Sequence, residues 1–89
     1  MEVVMEKIIN FRGQRLRKIK SDHFKDRFDQ RVGKFSMEKT NDIVLGILFQ
    51  LENSSGVEAR HGYKHSVNVL GESYTVIYDE YENKLVTIW

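Results

Sequence analysis

The chain reads as an α+β domain: two N-terminal helices packed on one face of a three- to four-stranded antiparallel sheet in meander order. Three observations predict it. Apolar residues recur every three or four positions between residues 21 and 32 and again between 36 and 51, the period of a helix that buries one side. After Gly56 the sequence turns to short runs of Val, Ile, Tyr and Thr separated by turn residues, as strands do. Eighty-nine residues, 40% of them apolar, supply one core. Helices and strands must therefore cover one another within a single domain, residues 1–89.

In chain order, Val3 to Phe11 is mostly apolar and fits a short strand or a helix. Arg12-Gly13-Gln14 reads as a turn. Residues 15–20 fit an extended segment or a continuing helix; the extended form is expected because Ser21 then stands as a clean N-cap. The spacing predicts a helix from Ser21 to Val32, with Phe24, Phe28 and Val32 on one side. Asp22 and Asp26 fall in its first turns, where carboxylates complement the dipole. Gly33 loosens the end and Phe35 covers it. Ser36 is a second N-cap, with Glu38 in the following turn. Ile43, Val44, Ile47, Leu48 and Leu51 form the apolar stripe of the second helix. Leu45 and Phe49 add a flank, so burial on more than one side is expected. Asn53-Ser54-Ser55-Gly56 stops it.

Val57–His61 is a short strand candidate, and Tyr63–Leu70, Ser73–Asp79 and Lys84–Trp89 are longer ones. Gly71-Glu72 fits a two-residue hairpin loop with glycine first. That register pairs Val69 with Tyr74, Val67 with Val76 and His65 with Tyr78. Glu82-Asn83 serves as the second turn.

The net charge of +1 conceals an asymmetry. Lys7 to Lys34 holds ten Lys/Arg against three Asp, a local +7, and residues 35–89 hold four Lys/Arg against eight Asp/Glu, a local −4. A basic half steers anions such as nucleic acid or an acidic partner. The chain has no cysteine, which removes disulfides, thiolate zinc sites and cysteine nucleophiles. No apolar run approaches the roughly 20 residues of a membrane span. Met1-Glu2-Val3-Val4-Met5-Glu6 lacks the basic start and apolar core of a signal peptide, so no membrane association and a cytoplasmic location are expected. The glycines are isolated, without a phosphate-loop pattern. On one straight strand His61 and His65 would stand about 13 Å apart at ~3.3 Å per residue, too far to share a metal. No cofactor and no metal are expected.

The residues with chemical potential begin with a stripe. His23, Arg27 and Arg31 recur every four positions on one helix face, beside the Phe24/Phe28 stripe. An imidazole next to two permanent cations suits a phosphate or an RNA backbone, and equally a solvated helix flank. Cleavage of RNA by its own 2′-hydroxyl needs a general base, a general acid and a cation for the phosphorane. Imidazole titrates in the right range. Arg27, Arg31 and Arg60 are guanidinium candidates. A helix presenting His23 and Arg27 toward a sheet presenting His65 and Tyr78 would hold enough groups. His65 also fits a half-polar sheet position opposite Tyr78. Tyr63, Tyr74, Tyr78 and Tyr81 suit base stacking or cross-strand packing. Asp79, Glu80 and Glu82 form an acidic turn, the usual composition of a solvated loop tip, with a carboxylate general base as the alternative.

The segment Lys20-Ser21-Asp22-His23 through Arg27 to Arg31, followed by Phe35-Ser36 and a second helix, resembles small bacterial and phage proteins with a Ser-x-His-x-x-x-Arg-x-x-x-Arg helix. The ending Tyr74-Thr75-Val76-Ile77-Tyr78-Asp79, turn, Lys84-Leu85-Val86-Thr87-Ile88-Trp89 resembles the last hairpin of the same group. That group is similar to the barnase, colicin and RelE-like ribonuclease toxin superfold. The resemblance spans roughly residues 15–89. It implies N-terminal helices against an antiparallel sheet and an RNA-cleaving activity. It also implies an active-site role for His23 and Arg27, and less directly for Arg31 and Thr87. The superfold includes inactive binding proteins, so the fold does not carry the activity with it.

The leading expectation is a small metal-independent endoribonuclease, toxin-like, of phage or mobile-element origin. His23, Arg27 and His65 are its catalytic candidates, and Arg31, Arg60, Tyr78 and Thr87 its substrate-binding candidates. RNA is the expected partner, with an antitoxin or host enzyme as a protein partner. The alternatives are a non-catalytic phage-type protein that binds and inhibits a host enzyme, and a nucleic-acid-binding module.

Overall fold

The computed structural model describes residues 10–89. The expectation for Val3 to Ile9 lies outside the described residues. The elements are β1 (Asn10–Phe11), β2 (Gln14–Arg15), α1 (Leu16–Ile19), α2 (Asp22–Arg31), α3 (Met37–Glu52), β3 (Val57–Ala59), β4 (Gly62–Val69), β5 (Glu72–Asp79) and β6 (Lys84–Ile88). The fold is α+β, with a four-stranded antiparallel sheet in the order β3-β4-β5-β6 and a separate two-stranded hairpin, β1-β2.

The two long helices start where their serines stand. Ser21 Oγ accepts from the Phe24 N–H at 3.1 Å, and Ser36 Oγ accepts from the Lys39 N–H at 3.1 Å. Each satisfies one of the amides that a helix start leaves without a partner. Phe24 and Phe28 are 0% and 2% exposed. In α3, Val44, Ile47, Leu48 and Leu51 are buried, whereas Phe49 is 56% exposed and meets the Phe11 ring edge-on at 6.3 Å. Of the flank expected to be buried, Phe49 is open and Leu45 is half-buried against the core. α2 contacts β6 and α3 contacts β4. Their buried residues form one cluster with Val67, Val69, Val76, Tyr78, Leu85 and Ile88 of the sheet.

Three local expectations are corrected. Residues 16–19 are not extended but form one helical turn, α1. Leu16 and Ile19 are both buried, and a spacing of three brings them to one side of a helix but to opposite faces of a strand. The chain then becomes extended at Lys20, which bridges in parallel to Leu85, while Lys20 Nζ donates to Asn41 Oδ1 at 2.9 Å.

The β4–β5 loop is Leu70-Gly71 rather than Gly71-Glu72, with φ of +52° and +84°. Two consecutive positive φ values give a turn whose twist matches the strands it joins. The register moves by two residues: Val69 pairs with Glu72, Val67 with Tyr74, His65 with Val76, and Tyr63 with Tyr78. An even shift keeps every side chain on its face, so the expected burial survives although the partners change.

The second turn is longer than Glu82-Asn83. Asp79 Oδ1 accepts from the Tyr81 and Glu82 N–H groups at 3.0 and 3.2 Å, and Asn83 has a φ of +54°. A bulge follows: Ile77 pairs with Thr87 and Tyr78 with Leu85, leaving Val86 as the extra residue. This is how Leu85 and Ile88, three positions apart, both reach the core.

Candidate functional site

The β3–β4 turn and the β5–β6 loop lie at the same end of the sheet, because the meander reverses there twice. Between them runs an open groove of about 590 Å³. Glu58, Arg60, His61 and Tyr63 line one wall and Glu80 and Tyr81 the other, with Val86 also in the lining. Gly62 permits the two walls to approach. Its φ is +150°, and a Cβ there would collide with the Tyr78 carbonyl. Any other residue would push the Arg60-His61 turn away from Asp79-Glu80. Arg60, His61, Glu80 and Tyr81 are all exposed, so the groove presents an imidazole, a guanidinium, carboxylates and phenol rings to solvent. Among the described residues neither Arg60 nor Glu80 makes an ion pair.

Two polar side chains of β4 and β5, neither lining the groove, are buried. His65 is 4% exposed. Its Nδ1 lies 2.9 Å from Ser54 Oγ, and its Nε2 has no hydrogen-bond partner among the described residues. Gly56 (φ +66°) roofs the ring: a Cβ there would stand 2.7 Å from His65 Cε1 and 2.8 Å from Nε2. Burial pushes the His65 imidazole below its ordinary pKa, opposed by the charge of Glu80.

Tyr78 is 2% exposed, and its hydroxyl donates to Asn83 Oδ1 and accepts from Arg12 Nη1 at 3.4 Å. Asn83 Nδ2 donates in turn to the Phe11 carbonyl at 2.8 Å. The Arg12 guanidinium lies 5.2 Å from the Phe11 ring centroid and 5.7 Å from that of Tyr78. Tyr78 is therefore the peg that holds the β1-β2 hairpin against the sheet. Burial raises its pKa, and Arg12 pulls the other way.

The α2 stripe is on the surface. His23 and Arg31 are exposed and Arg27 is half-buried. Among the described residues their side chains make no ion pair, while the Arg31 carbonyl accepts from the Tyr74 hydroxyl at 3.2 Å. The start of α2 is fastened to the rim of the groove. Ser21 Oγ donates to the Val86 carbonyl at 3.0 Å, and the Ser21 N–H reaches the Leu85 carbonyl at 3.3 Å. Thr87 is half-buried opposite Ile77.

The candidates read from sequence thus divide. Arg60 lies in the groove, and His23 and Arg27 lie on the helix attached to its rim. His65 and Tyr78 are core residues. His23 and His65 are not brought together: one is exposed on the helix over β6, the other buried on β4, two strands away. From the sequence His61 is one of three available imidazoles and Glu80 one of three carboxylates in an acidic turn, with nothing to bring them together; Glu58 is not singled out, nor are Arg12 and Asn83 as partners of Tyr78 or Ser54 as the partner of His65. The available signal was the meander itself, which places alternate turns at one end. Among the described residues no group of three or more His, Asp or Glu side chains is arranged to hold a metal ion.

Compared with family models, with curated proteins and with solved structures, the chain finds no match in any of the three.

Proposed function

We propose that the protein is a small endoribonuclease of the metal-independent kind, in which the RNA 2′-hydroxyl attacks the adjacent phosphate. The observation that supports this is the composition of the groove: His61, Arg60, Glu80 and Glu58 around one open space, with Tyr63 and Tyr81 at its sides. In this reading a carboxylate, Glu80 or Glu58, takes the 2′-hydroxyl proton. His61 protonates the leaving 5′-oxygen. Arg60 hydrogen-bonds the phosphorane oxygens, where charge gathers. Tyr81 is 99% exposed and offers a ring face for a base. His23 and Arg27 act from the adjoining helix on the RNA backbone. Proton transfer is assigned to His61 instead of His65 because the His65 ring is sealed under Gly56. The resemblance of the α2 segment and last hairpin to RNA-cleaving toxins points the same way.

The test is the chemistry of the product. Bulk RNA incubated with the protein in EDTA should yield fragments ending in 2′,3′-cyclic phosphate. RNA left intact, both free and on ribosomes, overturns the reading.

The separation of His23 from His65 favours a second reading, an RNA-binding module without cleavage. It predicts binding that weakens steeply with salt and no new RNA ends.

A further inference from the structure

We infer that a second concavity, on the β1-β2 hairpin and α1, is a phosphodiester-binding exosite for the single-stranded RNA that enters the groove. This rests on the proposal that RNA occupies the groove. Arg15, Arg17 and Lys18 line an open hollow of about 450 Å³ together with Gln14 and the backbone at Gly13. All three cations are exposed, and among the described residues none makes an ion pair or a side-chain hydrogen bond. No carboxylate is among the described residues that line it. A solvated charge flank normally interleaves both signs, as α2 does with Asp22, Asp26 and Asp29. Residues 10–20 instead carry five Lys/Arg and no acid.

The hairpin that carries the hollow is tied to the loop that forms one wall of the groove. Arg12, at the tip of the hairpin, donates to the Tyr78 hydroxyl, and Asn83 of the β5–β6 loop donates to the Phe11 carbonyl. That same loop carries Glu80 and Tyr81, one wall of the groove. A strand leaving the groove past Tyr81 therefore meets the hairpin next. Flexible, singly placed cations suit a repeating phosphate backbone better than one fixed ligand, because each phosphate needs only a nearby charge.

The experiment compares the wild type with the triple variant Arg15→Gln/Arg17→Gln/Lys18→Gln. Two probes are used: a dinucleotide that fills only the groove, and a long 2′-O-methyl oligonucleotide that cannot be cleaved. Binding of the long probe is followed by fluorescence anisotropy across a salt series. With ~0.7 counterion released per phosphate contact on a single strand, removing three contacts should flatten the log–log salt slope by about 2 and weaken binding roughly fiftyfold near 0.15 M salt. Dinucleotide cleavage should be unchanged. Lys25→Gln, whose ammonium already pairs with Asp22 at 3.8 Å, should leave the slope alone. Equal slopes for wild type and triple variant overturn the exosite, as does a wild type that does not bind the long probe. If dinucleotide cleavage is absent but the slopes differ as expected, the cleavage reading falls and the exosite stands. The three side chains are exposed, so the variant should fold; unchanged far-ultraviolet circular dichroism checks this.

Discussion

The Ser21 hydroxyl makes two hydrogen bonds at once, accepting from the Phe24 N–H at 3.1 Å and donating to the Val86 carbonyl at 3.0 Å. One side chain therefore starts α2 and fixes that start to the bulged residue of β6. The bulge turns a carbonyl out of the strand ladder, and Ser21 is its partner. Through this contact the helix that carries His23 and Arg27 is held at the rim of the groove.

Ser21→Ala should cost about 1–2 kcal/mol for the lost cap, with roughly 1 kcal/mol more for the orphaned carbonyl. Ser21→Thr should recover most of it. Urea denaturation with an unchanged m-value measures this. A midpoint for the alanine variant equal to the wild type would show that water replaces the hydroxyl at both partners.

Asn83 stands between the Tyr78 hydroxyl and the Phe11 carbonyl, and it adopts a φ of +54°. Asn83→Ala removes both bonds and puts a residue of lower tolerance into the left-handed region, so a loss of about 2–3 kcal/mol is expected. Hydrogen exchange should accelerate at Phe11 and Gln14, the paired residues of the hairpin, before it does at β4 and β5. Uniform acceleration across the sheet would contradict the role of Asn83 as a local clip.

His65 gives a signed pH dependence. Burial lowers its folded-state pKa below the usual 6.5, so the unfolded chain takes up the proton more readily. Stability from the neutral ring is present above pH 6.5 and is lost as pH falls through the folded value. On acidification the urea midpoint of the wild type should fall more than that of His65→Gln. Parallel pH profiles would rule this out. Gly56→Ala should destabilise by about 2–3 kcal/mol through collision with the ring and the positive φ, and by less in a His65→Ala background.

Gln50 closes the edge of β4. Its amide accepts from the Asn68 N–H at 2.8 Å and donates to the Asn68 carbonyl at 2.9 Å, as a neighbouring strand would. β3 covers only Gly62 to Lys64 of that edge. Gln50→Ala should expose an unpaired stretch and promote self-association at high concentration, visible in sedimentation velocity. A variant that stays as dispersed as the wild type would show that the edge is protected by other means.

Much of the fold was legible in the sequence because the strongest signals are local. Ser21 and Ser36 mark their helices, and the Phe24/Phe28 and Ile47/Leu51 spacings mark the buried sides. The alternation in β4 and β5 marks the sheet face even though the register was two residues out. Leu70 in the left-handed region carries no propensity signal, so the loop could not be placed from glycine alone. α1 was misread because four residues give too short a period. The site was less legible for a different reason. His65 and Tyr78 have the residue types of a catalytic pair, yet burial decides their role, and burial depends on Gly56, Ser54, Arg12 and Asn83, all distant in the chain or in another element. His61 and Glu80 sit in turns that only the meander brings side by side.

In the proposed function, His61 is the proton donor for RNA cleavage in the groove at this sheet end. The most direct measurement is the single-turnover cleavage rate of one RNA in EDTA for the wild type and for His61→Ala, with folding of both confirmed. The wild type should give cyclic-phosphate products, and the variant should lose about a hundredfold or more in rate. Equal rates for the two proteins would contradict this role of His61.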